Sequence, residues 1–188
     1  MPLAYADCMS DSGPSLSQSL SASAPKRAHE TQVGMTGTNA AAAPDDRFHA
    51  DVLAFYRHWQ SKCGDRALPA RRDFEPSEMV PFLSGIALID VVEDDRRFVY
   101  RLLGTREVAM RGNDPTGKGV AEGYYAASAD AALASYQDVV DRRAPRFEQR
   151  RFVTPGGRIG HEQTIILPLS DDGERINKLI AYTHHFLI

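Results

Sequence analysis

The string with the strongest outward sign of chemistry is Gly112-Asn113-Asp114-Pro115-Thr116-Gly117-Lys118-Gly119, which has the two glycines and the lysine of a phosphate-binding loop. Such a loop needs a Ser or Thr directly after the lysine to hold magnesium. It must also join a strand to a helix, so that backbone N–H groups point at the phosphates. Here Gly119 stands in the hydroxyl position and a helix end precedes the loop, so nucleotide hydrolysis is not expected. His161, Glu162 and Gln163 fall on a strand, where alternation sends His161 and Gln163 to one face and Glu162 to the other. If the first face lines a hollow, His161 and Gln163 hydrogen-bond a ligand; otherwise they are ordinary strand residues with local partners. His184-His185 has no partner at metal-ligand spacing, and no metal site is expected.

Tyr100, Tyr124, Tyr125 and Tyr136 carry rings with polar tips suited to the wall of a mostly apolar pocket, and equally suited to a core. Arg101 and Arg151 are the cations to test against an anionic ligand, with a solvated sheet face as the plainer account of each. The candidate ligand set is therefore Tyr100, Arg101, Tyr125, Tyr136, Arg151, His161 and Gln163. The acidic clusters Glu93-Asp94-Asp95 and Asp171-Asp172 lie in turns, which they favour for conformational reasons. No nucleophile, base and orienting group are forced together by their spacing, so no catalytic residue is assigned.

The 188 residues have room for one domain and a tail, and 43% hydrophobic with 25% charged residues is the composition of an ordinary packed protein. A net charge of −3 lacks the basic footprint of a dedicated nucleic-acid binder. Cys8 and Cys63 offer neither a disulfide framework nor a metal site, which suits a reducing cytoplasm. No stretch has the roughly 18 apolar residues of a membrane span, and Met1 to Ser10 lacks the basic and apolar regions of a secretory signal.

Residues 1–44 are rich in Ser, Ala, Gly and Thr and are expected to form a disordered tail, because few of their side chains could offset the entropy of ordering. The domain spans 45–188. Asp45-Asp46 is expected to cap a helix over 46–63 carrying the apolar stripe Phe48, Val52, Phe55, Tyr56, Trp59 and Cys63, closed by Gly64. A short helix near Pro76 leads to Ile86–Val92, an apolar β-branched run that reads as a strand buried on both faces. A hairpin brings Phe98–Leu103 beside it. A short helix follows at Arg106–Arg111 and the longest core helix at Ala126–Arg143, stopped by Pro145. Three strands close the chain: Arg146–Val153, Ile159–Leu169, and Ile176 to His185 onward, separated by the turns Pro155-Gly156-Gly157 and Asp171-Asp172-Gly173. The fold class is α+β: a five-stranded antiparallel sheet with helices on one face and a flanking N-terminal amphipathic helix.

That order resembles the PAS topology. Four stretches are similar to the small single-domain PAS proteins of alphaproteobacteria: Leu68-Pro69-Ala70-Arg71-Arg72-Asp73-Phe74, Tyr100-Arg101-Leu102-Leu103-Gly104-Thr105, Gly112 to Lys118, and Leu167-Pro168-Leu169-Ser170-Asp171-Asp172-Gly173. The resemblance spans about residues 48–186. It implies a sensory or protein-interaction module that holds a small ligand or a protein partner and dimerises through its flanking helix, here through Phe48, Val52, Phe55, Tyr56 and Trp59. The cytoplasmic location is expected from the cysteines and from the lack of a span or signal. With no room for a kinase or cyclase, output is expected in trans, through a regulator such as a sensor kinase. Haem is disfavoured, because Ala126–Arg143 lacks the histidine that haem-binding relatives use. Covalent flavin chemistry is disfavoured too, because neither cysteine lies inside the core. The competing reading is a small α+β enzyme whose cone-like cavity performs acid–base chemistry on an apolar metabolite through His161 and a tyrosine. A third is an adaptor that dimerises through the Trp59 stripe and binds nothing small.

Overall fold

The computed structural model describes residues 47–123, 129–153 and 159–187; the expected tail, the Pro155-Gly156-Gly157 turn, Tyr124 and Tyr125 lie outside them. The chain runs α1 (Ala50–Cys63), three short 3₁₀ turns, β1 (Ile86–Val91), β2 (Phe98–Leu103), α2 (Thr105–Arg111), α3 (Val120–Gly123), α4 (Ala129–Arg142), β3 (Arg146–Val153), β4 (Ile159–Leu169) and β5 (Lys178–Leu187). All strand pairs are antiparallel, in the spatial order β2-β1-β5-β4-β3. The chain is thus α+β, as its element order predicts.

Residues paired directly across antiparallel strands point to one face. The register Ala87↔Ala181↔Ile166↔Arg146 defines an inner face, and Thr164↔Thr183, Glu148↔Thr164 and Glu162↔His185 extend it. Its neighbours in sequence, Phe147, Gln163, Ile165, Leu167, Ile180 and Tyr182, belong to the outer face. Helices α2 and α4 cover the inner face. Helix α1 covers the outer one: Phe55 packs on Tyr182 with ring centroids 5.3 Å apart, Tyr56 meets Phe147 edge-on at 5.4 Å, and the Trp59 indole donates to the Pro168 carbonyl at 3.1 Å. The sheet is covered on both sides, which explains why Ile86, Ala87, Leu88 and Ile89 are all buried in β1.

Local chemistry sets the boundaries. The cap of α1 is His49, whose Nδ1 accepts from the Asp51 amide at 3.2 Å, and Gly64 ends the helix at φ 56°. Gly112, at φ 74°, closes α2 in the left-handed conformation. Gly104 is required for another reason: a Cβ there would sit 2.1 Å from the Leu83 carbonyl oxygen, so only a bare backbone fits against that turn. The Leu68–Phe74 and Leu167–Gly173 stretches meet, with the Ser170 amide donating to the Pro69 carbonyl at 3.0 Å.

Candidate functional site

Between the inner face and helices α2 and α4 lies a cavity of about 50 Å³ with an unusual lining: Glu107 and Arg111 from α2, Ser135 and Tyr136 from α4, Glu148 and Arg150 from β3, and Glu162, Thr164 and Thr183 from the sheet centre. Each position follows from element geometry. Glu107 and Arg111 are four apart on α2 and share a helical face. On β3 and β4, alternation brings Glu148, Arg150, Glu162 and Thr164 inward together.

Opposite charges alternate through the site. The Arg150 guanidinium donates to Glu148 at 2.8 Å, and Arg146 reaches the other Glu148 oxygen at 2.7 Å while holding Asp138 at 2.9 Å. Ser135 donates to Glu148 as well. Across the cavity His185 stands between two carboxylates, 3.7 Å from Glu107 and 3.4 Å from Glu162, and Arg111 lies 3.7 Å from Glu107. Arg111 also sits over the Tyr100 ring, 5.2 Å from its centroid, and donates weakly to the Tyr100 hydroxyl at 3.4 Å.

The two most buried acids respond in opposite ways. Burial pushes the Glu107 carboxyl above its ordinary range, against the pull of His185 and Arg111, and its Oε1 accepts no hydrogen bond. Burial would raise Glu148 too, but the charge of Arg150, the Ser135 hydroxyl and Arg146 outweigh it and hold that carboxyl below its usual value. Burial also raises the Tyr100 phenol. The site can therefore hold a proton or a small polar group with donors and acceptors on both sides. A cavity this size has room for a few water-sized groups, each needing about 10–15 Å³ of such space.

The expected ligand residues are divided among three places. Tyr136 lines the cavity, and Tyr100 lies beside it under Arg111. Tyr100 and Arg101 also border a second hollow of about 300 Å³ at the β2 edge, with Asp90, Arg96, Thr116 and Gly117. Its charges are matched locally: Arg101 donates to Asp90 at 2.8 Å and Arg96 to Asp94. The Thr116–Gly117 part of the phosphate-loop-like string is a turn here, Asp114 accepting from the Thr116 amide and hydroxyl. His161, Gln163 and Arg151 are on the outer face, away from the cavity: His161 stacks on Phe186 at 5.5 Å, Gln163 is buried with its amide donating to the Arg47 carbonyl, and Arg151 is exposed. Tyr125 lies outside the described residues.

The stripe expected at a dimer surface is beneath α1. Phe48, Val52, Phe55 and Trp59 are buried against the chain's own sheet, and Tyr56 is half-buried. Sequence reasoning missed Glu107, Arg111, Glu148, Arg150 and His185. The available signal was parity: placing Glu162 inward brings in every second residue of β3 and β5.

Residues 47–182 match a family described as "PAS domain". No curated protein matches the chain. Solved structures similar to it include the PAS domain of Bordetella pertussis BvgS, at 19% identity and a TM-score of 0.45 over 59% of this chain and 85% of that one. A PAS domain from Colwellia psychrerythraea is 9% identical with a TM-score of 0.44, over 59% of this chain and 96% of that one. The LOV domain of the Erythrobacter litoralis EL346 blue-light activated histidine kinase is 11% identical, with a TM-score of 0.41 over 55% of this chain and 96% of that one.

Proposed function

The chain belongs to the PAS domain family, and from that premise we propose that it is a sensory signal-transduction module of the small single-domain kind found in alphaproteobacteria, working in the cytoplasm. The observation that carries the reading is the buried charged cavity. Glu107 is 4% exposed and Glu148 8% exposed, and burying such groups is unfavourable unless they are fully paired. A set of buried charged groups under the helices, with Glu107 Oε1 accepting no hydrogen bond, gives a small polar ligand partners that an apolar core does not.

In this reading the ligand puts donors toward Glu107 and Glu162 and acceptors toward Arg111 and Arg150, with the Tyr100 and Tyr136 side beside it. Any molecule larger than the present hollow must move α4 or α2 off the sheet. It then shifts the module between two states by its differential affinity for them. Output passes in trans to a protein partner such as a sensor kinase. We place self-association on the exposed side of α1, at Arg57, Gln60 and Ser61, since the apolar side is covered. The acid–base alternative needs His161 and a tyrosine in one hollow, whereas the cavity under α2 and α4 is lined by Tyr136 and His161 projects from the opposite face of the sheet.

Native mass spectrometry of the protein purified from its own host, with an affinity pull-down from the same lysate, tests the proposal. We expect a small-molecule adduct that is lost in Glu107→Gln and Arg150→Met, and a partner whose capture changes with those variants. An adduct-free protein whose partner binds all three forms equally would leave a plain adaptor.

A further inference from the structure

On the other face of the sheet, where α1 begins, His49, Asp51 and His184 converge from two elements 135 positions apart in sequence. His49 caps α1, Asp51 is in its first turn, and His184 is on β5. The two imidazoles stack at 3.6 Å with planes 13° apart, and Asp51 Oδ2 lies 3.2 Å from His184 Nδ1 and 3.6 Å from His49 Nδ1. His184 Nδ1 is shut off from solvent and has no hydrogen-bond partner. We propose that His49, Asp51 and His184 bind a divalent transition-metal ion of the zinc class, which fastens the start of α1 to β5.

The donor set suits such an ion: two imidazole nitrogens and one carboxylate oxygen, with further positions left to water. One donor atom from each residue already lies within 4.8 Å of the others. Bonds of about 2.0–2.1 Å in a tetrahedron require donors roughly 3.3 Å apart, so the set must tighten, and the His49 ring must turn out of its stack on His184 so that both in-plane lone pairs meet at the ion. Its exposed members can do this, because the His49 and Asp51 side chains are 44% and 52% exposed while His184 is held at 18%. The frame behind them is fixed: buried Gln163 accepts from the His49 amide and donates to the Arg47 carbonyl. The ion would displace the His49–Asp51 cap bond, a weak one at 3.2 Å.

The test is zinc titration of the full chain after chelator treatment, followed by calorimetry, with cobalt as a spectroscopic substitute. We expect one equivalent per chain, a thermal midpoint that rises with zinc concentration, and cobalt bands of a low-coordinate N/O site. Asp51→Asn and His184→Phe should each weaken binding at least about tenfold, while His161→Ala on the same face leaves it unchanged. Asp51→Asn changes only an exposed side chain, so its result stands even if His184→Phe folds poorly. No binding, or binding that survives Asp51→Asn and His49→Ala, overturns the proposal and leaves the three residues as a surface ion pair. Glu107→Gln should leave zinc affinity unchanged, which keeps this test separate from that of the cavity.

Discussion

On the outer face of the sheet, Phe147, Ile165, Leu167 and Tyr182 meet Phe48, Phe55 and Trp59 in contacts between rings and aliphatic groups. One residue along each strand, on the inner face, Glu148, Glu162, Thr164 and Thr183 line a hollow with acidic and hydroxyl groups, and His185 stands beside Glu162. The backbone ladder is common to both, so the difference lies in side-chain parity alone. The outer face resembles a structural core in which each buried group adds to stability. The inner face buries charges whose mutual pairing only partly offsets their desolvation, and that is the side on which a ligand could change the energy balance.

The largest effect should come from the outer face. Phe55 is fully buried against Tyr182 and Phe82, so Phe55→Ala should lower stability by about 3–5 kcal/mol in denaturant unfolding, through lost transfer energy and the cavity left behind. A smaller value would mean that α1 is loosely docked and the two faces less different than their packing indicates. Removing the Glu148 charge comes next. Glu148→Gln leaves Arg146 and Arg150 facing a neutral amide and should cost about 2–4 kcal/mol at neutral pH.

The same change at Glu107 should act in the opposite direction. Its carboxyl has a raised pKa in the folded state, so whatever stability it contributes is present below the ordinary Glu value of about 4.3 and is lost as pH rises through the raised folded value. Toward neutral pH the charged form is the unfavourable one, and Glu107→Gln should stabilise the fold there, a gain that vanishes in acid. For Glu148 the folded pKa is depressed. Its contribution is present above about 4.3 and lost as pH falls through the folded value. Unfolding curves for the two variants between pH 3 and 8 should therefore both rejoin wild type in acid and part from it toward neutral pH in opposite directions, Glu107→Gln above and Glu148→Gln below. If both shift stability in the same direction at neutral pH, the assignment of one carboxyl as paired and the other as strained is wrong.

Much of the fold is legible in the sequence for a reason that also hides the site. The four stretches carrying the family resemblance contain caps and turns. Asp73 accepts from the Ala70 amide, Gly104 admits the Leu83–Ser84 backbone, Gly112 closes α2, and Asp172, held down to about 2 by the Arg175 and Glu174 amides, shapes the β4–β5 turn. Such requirements are local and tie residue type to backbone, so they can be read from a string. The cavity depends on which parity of β3, β4 and β5 faces the α2–α4 side. A strand with Glu162 between His161 and Gln163 has polar residues on both faces and gives no hydrophobic alternation to decide it. The α1 stripe was readable as apolar, but whether it covers its own sheet or a second copy depends on tertiary docking.

The smallest predicted effect is at His161, the residue that residue type alone recommends most for chemistry. Its ring stacks on Phe186 near the end of β4, half-exposed on the outer face. His161→Ala should change stability by no more than about 0.5 kcal/mol, the scale of a surface substitution. It should also leave the cavity ligand in place, because the side chain projects from the opposite side of the sheet to Glu162, its neighbour in sequence. Thermal unfolding and the mass-spectrometric adduct together check both halves. Loss of the adduct with unchanged stability would mean that the ligand sits on the α1 face, and the contrast between a structural and a sensory side of the sheet would then be reversed.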